Sequence, residues 1–288
     1  MYRLRTVQLQ DRGSLVRQKI GVIFRHAILA LWCLTTLYPV VWVLQNAFRD
    51  NTQIYGNPFA LPNPVILKNF PQAFSGVHLA VTLTNSVIYS AATVIITILL
   101  SAMAAFYLAK IARGNLLYVY FILGIMIPIQ AILIPIFISM RNIGLLNTRV
   151  GIIIVYVVTN LSISIFILTG FMQKGVPNDL LEAAVIDGCG PVAVFFRVAF
   201  PISQAGIVTA ATLVFLGIWN EFLFALTMLS APLLRTLNLS VFMLRNQYST
   251  DQGLMAAGIV ILITPAILIY IVFQEQVVKG LTAGAIKG

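Results

Sequence analysis

Residues 181–201 read LEAAVIDGCGPVAVFFRVAFP, and the way this stretch interrupts the chain sets its architecture. Only eight of the 288 residues are acidic, yet Asp179, Glu182 and Asp187 crowd together here, between two long apolar stretches. Pro177 suits the first turn of a helix, Asn178 or Asp179 can cap it, and Glu182 can reach back to a free backbone N–H. Asp179 and Glu182 also favour the positive end of the helix dipole. Glycine at 188 or 190 permits a left-handed turn that ends this helix. Pro191 then opens a second short helix through Arg197, which stops near Pro201. Asp187 lies about 140° around the helix from Glu182, so the two acids make a poor general acid/base pair. Ala183 and Asp187 share a small face open to close approach by another surface. On the residues alone, two readings stay open: a docking surface and a solvated amphipathic loop helix.

Hydrophobic residues make up 60% of the chain and charged residues 9%, against roughly 45–50% and about 25% in soluble domains. This is the composition of a membrane protein. About 20 residues cross the ~30 Å hydrocarbon layer as a helix that bonds its own backbone, and six such stretches are expected. They run over Ala27–Phe48, Val81–Ala109, Leu116–Met140, Val150–Gln173, Ile202–Leu229 and Leu254–Phe273. Lysines and arginines stay on the cytoplasmic side. Twelve lie in the N-terminus, 110–115, 174–201 and the C-terminus, against six in the remaining segments. Both termini and the acidic cluster are therefore expected in the cytoplasm. The net charge of +10 reflects this topology and contact with membrane lipid, and no basic run with interleaved aromatics points to nucleic acid. The first apolar stretch is too long for a cleavable signal and reads as a retained span.

Cys33 and Cys189 fall in a span and a loop, so no disulfide is expected between them. His26 and His78 are far apart without clustered ligands, so no metal site is expected. No GxxxxGK[ST] loop occurs, so the chain has no evident means of holding a nucleotide.

Glu182-Ala183-Ala184, Asp187-Gly188, Phe196 and Pro201 resemble the EAA motif, the signature cytoplasmic loop of permease subunits in binding-protein-dependent ABC importers. LKNFPQAF, MIPIQAILIP, GLLNT at 144–148, WNEF at 219–222 and the closing VKGLTAGAIKG extend the resemblance to the carbohydrate type, the smaller half of maltose-type importers in particular. One departure is the absence of a second proline after Pro201, where Gln204, Ala205 and Gly206 stand instead. The resemblance implies an all-α membrane protein with six transmembrane helices and a cytoplasmic helix-turn-helix coupling loop, the type I ABC importer permease fold. It divides the chain into a cytoplasmic segment 1–26, a first helix 27–48, an external segment 49–80, a five-helix core 81–273 with its coupling loop at 174–201, and a cytoplasmic tail 274–288. It assigns ATPase coupling to Glu182, Ala183, Ala184, Asp187, Gly188 and Pro201. It implies a second permease subunit, two ATP-binding subunits that hold ATP and Mg, and an extracytoplasmic substrate-binding protein, in a bacterial or archaeal cytoplasmic membrane. It also implies contact between the C-terminal GLTAGAIKG and the ATPase dimer. The chain itself is not expected to be an enzyme or to bind a cofactor.

Glu221 is the one acid inside an expected span. Counted at 1.5 Å per residue from Pro201 it lies about 30 Å along, near the outer boundary. It reads either as a functional carboxylate or as an anchor beside Trp219, or an ion-pair partner for Arg235 or Arg245. Pro128, Pro135 and Pro265 are expected to interrupt helical bonding. With Gln130, Asn160, Asn220 and Glu221 they mark either a pathway or kinked packing helices. The segment from Ser230 to Gly253 is either a partner-reaching external loop or a plain connection. The competing class is a single-chain secondary transporter driven by an ion gradient, which ordinarily shows ionisable groups near the midplane and internal repeats; neither is evident. A membrane-embedded enzyme is disfavoured because no His, Cys, Asp and Glu residues cluster.

Overall fold

The computed structural model describes residues 2–76, 78–112, 114–245 and 251–285, with side chains described from Gly21 to Glu275 apart from the gaps and at Lys19. Every regular element among the described residues is helical. In chain order these are α1 (Tyr2–Asn46), α2 (Asn51–Gly56), α3 (Asn69–Gly76) and α4 (Leu79–Phe106). Next come α5 (Leu116–Met126), α6 (Ile129–Asn142), α7 (Arg149–Gly175) and α8 (Asn178–Ile186). The helical run α9 covers Pro191–Ile202. It is followed by α10 (Gln204–Trp219), α11 (Leu223–Met228), α12 (Leu237–Phe242) and α13 (Gln252–Ala285).

Among the described residues, four helical stretches are long and apolar enough to cross a membrane: Gly21–Asn46, Leu79–Ile111, Arg149–Gly175 and Gln252–Glu275. Counting each of two bent pairs as one span brings the total to six. The first helix begins well before Ala27, because nothing between Tyr2 and Asn46 stops it and Pro39 is carried inside it. None of its most apolar stretch is buried within the chain; it joins the rest at its C-terminal end, where Val43, Ala47 and Phe48 pack with Phe70, Ala256 and Ala257.

Two expected spans are not continuous helices. Between Leu116 and Met140 the chain bends by 96° at Ile127–Pro128. Ile127 is extended at φ −78°, ψ 117°, as the residue before a proline prefers. Pro128 then lacks the N–H that would carry the helix on. The fifth span ends at Trp219 rather than Leu229, and α10 meets α9 at 79°. Pro135 and Pro265, by contrast, lie inside unbroken helices. Pro265 leaves the Ile261 carbonyl without its usual donor and loosens the next; Trp219 Nε1 donates to that next carbonyl, Leu262 O, at 3.0 Å. A neighbouring helix thus relieves the proline's deficit.

The centre of the fold is α4 packed on α7. The buried face of α4 carries Thr82, Asn85, Ser86, Tyr89, Ser90, Thr93, Thr97 and Ser101. Their three- and four-residue spacing makes one stripe, and small hydroxyl residues let two helices approach closely without a hydrophobic driving force. One apolar cluster lies at the end of the bundle that carries α8 and α9, built on Phe106, Leu168, Met172, Val176 and Phe195. Another lies toward the opposite end, on Tyr89, Ile152, Tyr156, Ile218 and Phe224.

At that opposite end the connections are pinned. Asn85 Nδ2 donates to Leu233 O at 2.8 Å, Tyr89 Oη to Leu234 O at 2.9 Å, and the Leu237 N–H to Ser86 Oγ at 2.7 Å. Asn147, at φ 55°, accepts from the Ala231 N–H at 2.9 Å. Residues 231–237 are therefore held against α4 and are not a loose connection. Arg49, only 1% exposed, donates to Asn46 Oδ1 at 3.0 Å and to the carbonyls of Gln53, Asn57 and Pro58. The side chains of the C-terminal GLTAGAIKG lie outside the described residues.

Candidate coupling site

The loop after α7 forms as two helices around a glycine turn. Val176 leaves α7 extended, and Pro177 occupies the N-cap of α8 at φ −66°, ψ 137°. The expected capping box is not built: α8 has no side-chain cap, because the fixed φ of Pro177 places a residue without a side-chain acceptor at the cap. Asp187 is the C-cap and Gly188 takes φ 84°. Cys189 N–H bonds to Ala184 O and Gly188 N–H to Val185 O, both at 2.9 Å. This pairing is a Schellman motif, which closes a helix with a left-handed residue.

The second helix runs from Pro191 through Pro201 to Ile202 and so ends near the proline, as expected. Its middle, Phe195–Ala199, is a π turn closed by Phe200 N–H on Phe195 O. That turn shifts the bonding register by one residue immediately before Pro201, which has no N–H to contribute. A second π turn, Tyr107–Ile111, continues α4. The two are joined by Phe106 and Phe195, whose ring centroids stand 5.6 Å apart and which are both buried.

Glu182, Ala183, Asp187 and Gly188 come together on the exposed side of α8 and its cap, with Ala184 half-buried beneath them. Pro201, exposed, lies in the last turn of α9, about 15 Å of helix beyond Pro191. Leu181 and Ala184 pack against the apolar cluster of Phe106 and Phe195. On the outer side Val185, Ile186 and Val192 are exposed, Ile186 by 85%. A residue that the linear pattern hides is Lys110. Its Nζ donates to Val176 O at 2.7 Å and to Asn178 Oδ1 at 2.9 Å. In the sequence Lys110 reads as one more charge at a span's end, and nothing marks its partners 66 and 68 positions away.

The candidate pathway residues divide. Glu221 sits in the break between α10 and α11, where its carboxylate accepts from Tyr156 Oη at 2.7 Å, Phe224 N–H at 2.6 Å and Ala225 N–H at 3.1 Å. It is a cap for α11 tied to α7, and Arg235 donates instead to Ser230 O at 3.1 Å. Asn160, one turn beyond Tyr156, donates to Tyr156 O at 2.8 Å. Asn220 donates to Leu216 O at 2.8 Å, while Asn238 Nδ2 donates to the backbone carbonyl of Asn220 at 3.0 Å. Gln130 stands exposed in the first turn of α6, and no bond joins it to the other three.

Residues 97–282 match the family described as "Binding-protein-dependent transport system inner membrane component". This chain belongs to that family. The permease is 33% identical over 91% of its length, and 88% of the relative's, to the diacetylchitobiose uptake system permease protein NgcG of Streptomyces coelicolor. It is 35% identical to the sulfoquinovosyl glycerol transport system permease protein SmoH of Agrobacterium fabrum, over 88% of this chain and 89% of that one. The trehalose transport system permease protein SugB of Mycobacterium tuberculosis shares 32% identity over 88% of this chain and 93% of that one. Among solved structures, a bacterial ABC transporter involved in the import of the acidic polysaccharide alginate superposes with a TM-score of 0.78 at 21% identity, over 89% of the permease and 96% of that chain. The fold is thus that of an ABC importer permease, and the permease is a multi-pass membrane component of a transport system.

Proposed function

We propose that the permease forms half of the translocation pathway of an ATP-driven importer for a sugar or sugar derivative. It works beside a second permease and two ATP-binding subunits that hold ATP and magnesium, and it receives substrate from an extracytoplasmic binding protein. Its seat is the cytoplasmic membrane of a bacterium or archaeon, with both termini inside. Carbohydrate cargo is supported by relatives named for diacetylchitobiose, sulfoquinovosyl glycerol and trehalose transport.

The observation that carries the coupling reading is the exposed tip formed by α8 and α9. Asp179, Glu182 and Asp187 make no side-chain hydrogen bond or ion pair among the described residues, and Val185, Ile186 and Val192 stand beside them in the open. Apolar side chains grouped with unpaired charges mark a surface that a protein partner covers. Closure of the ATP-bound subunits moves this tip and turns the cavity from inward-facing to outward-facing. The test is reconstitution with the partner subunits. Glu182→Lys reverses charge at the helix start and at the dock, and should lower both transport and binding-protein-stimulated ATP hydrolysis by about tenfold while membrane insertion persists. Wild-type levels of both activities in the variant would remove α8 from the coupling path.

A further inference from the structure

The joint between α7 and the tip is a single proline elbow, and Lys110 grips it on both sides. Val176, before Pro177, gives its carbonyl to the ammonium at 2.7 Å; Asn178, after it, gives its side-chain oxygen at 2.9 Å. This arrangement runs against what would stabilise α8 alone. The N-cap place is held by Pro177, which has no side-chain acceptor, and Asn178, the first helical residue, turns its side-chain oxygen to Lys110. A cation near a helix N-terminus also opposes the helix dipole. The lysine therefore joins the elbow to another element at the expense of the helix it touches.

That element is the π turn that ends α4. The same turn begins beside Phe106, whose ring packs on Phe195 at the head of the π turn in α9. The tip is thus attached to α4 twice, by the ammonium at its entrance and by an aromatic pair at its exit. Each attachment stands on a π turn, a rare single-turn departure from α-helical bonding that recurs at functional sites. Two attachments to α4, one on each side of the glycine turn, let the tip act on that helix as a lever.

We propose that Lys110 is the positioning residue through which movement of the α8–α9 tip reaches α4, with Phe106 and Phe195 as the second arm. This rests on the coupling reading above. The lysine chemistry is specific: two acceptors in fixed places are met by one cation with several N–H donors. An arginine, with its forked donors, can reach both; an uncharged chain of similar length reaches neither.

The experiment uses the complete importer in proteoliposomes and measures substrate moved per ATP hydrolysed. Lys110→Met should lower this ratio by about tenfold, and Lys110→Arg should restore most of it. A merely structural lysine would lower the amount of assembled complex and leave the ratio alone. Should Lys110→Met not be recovered from membranes, Asn178→Ala is read in the same way; it removes one acceptor and leaves the ammonium on Val176 O. A ratio lowered in Asn178→Ala supports the lever, and an unchanged ratio in the recovered variants overturns it. Wild-type transport that proceeds without the ATP-binding subunits would instead overturn the coupling reading itself.

Discussion

Gly188 shows how one residue can matter for position more than for stability. A Cβ placed there would meet nothing within 4 Å, so a substitution meets no steric clash. The cost lies wholly in the backbone: φ 84° is a left-handed conformation that an L-residue adopts at a penalty of about 1–2 kcal/mol. A protein held by its membrane helices absorbs that. What changes is the direction in which α9 leaves α8, because the two hydrogen bonds of the glycine turn require the left-handed residue. Gly188→Val should insert normally yet lose most substrate transport and the stimulation of ATP hydrolysis by loaded binding protein; Gly188→Asn, which tolerates left-handed geometry, should keep much of both. Parallel assays of insertion, transport and stimulated hydrolysis decide it, and a valine variant with wild-type values defeats the idea. Gly188 was legible in the sequence because glycine between helical runs has a local meaning. Glu221 was not. The sequence offers it as a functional carboxylate, an anchor or an ion-pair partner for Arg235 or Arg245, whereas its bonds to Tyr156 and α11 follow from the break after Trp219. The consecutive polar residues Asn220 and Glu221 were the available signal. Lys110 lay beyond reach for a different reason: its partners follow from how α4 packs on α7, and no local pattern encodes that.

At the scale of elements, the prolines divide by their neighbours. Pro128 breaks its helix while Pro135 and Pro265 do not, although all three lack the same N–H. At Pro265 the Trp219 indole meets the loosened carbonyl of Leu262, a contact made between elements that the sequence alone does not place together. Of the three residues that stand where a second proline is often seen after Pro201, the glycine acts through packing as well. Gly206 is buried in α10, and a Cβ there would lie 2.5 Å from the Phe171 ring and 2.8 Å from Phe171 Cβ on α7. The missing side chain is what allows α10 to close on α7 at the root of the tip. Gly206→Leu should therefore destabilise the permease by about 1–3 kcal/mol through overpacking, read as a lower melting temperature in detergent. The shift should exceed that of Gly170→Leu, since nothing lies within 4 Å of a Cβ at Gly170. Equal shifts for the two would show that the Gly206–Phe171 approach does not control this packing.

At the scale of the whole molecule, the question is where the energy for transport enters. An ion-driven carrier couples through a carboxylate that gains and loses its ion near the middle of the membrane, usually beside unwound backbone. The break between α10 and α11 is unwound backbone, and Glu221 lies in it, so this is the place such a mechanism would use. Its carboxylate, however, is already engaged by Tyr156 Oη and by two N–H groups of α11. Those bonds organise the break, and releasing them on each cycle would free α11 from α7. The acids of the tip, by contrast, stand exposed and, among the described residues, unpaired at the far end of the bundle, where a protein can reach them. Substrate uptake by the reconstituted importer should therefore persist when an ionophore collapses the proton and sodium gradients, and should stop when the ATP-binding subunits are omitted. Glu221→Gln provides the sharper arm. If Glu221 is a structural cap, the variant loses stability and amount of complex together, and the transport remaining per assembled complex keeps its dependence on ATP and its indifference to the gradients. Uptake that follows the gradient in the wild type and loses that dependence in Glu221→Gln would place the driving force in the membrane and remove it from the tip.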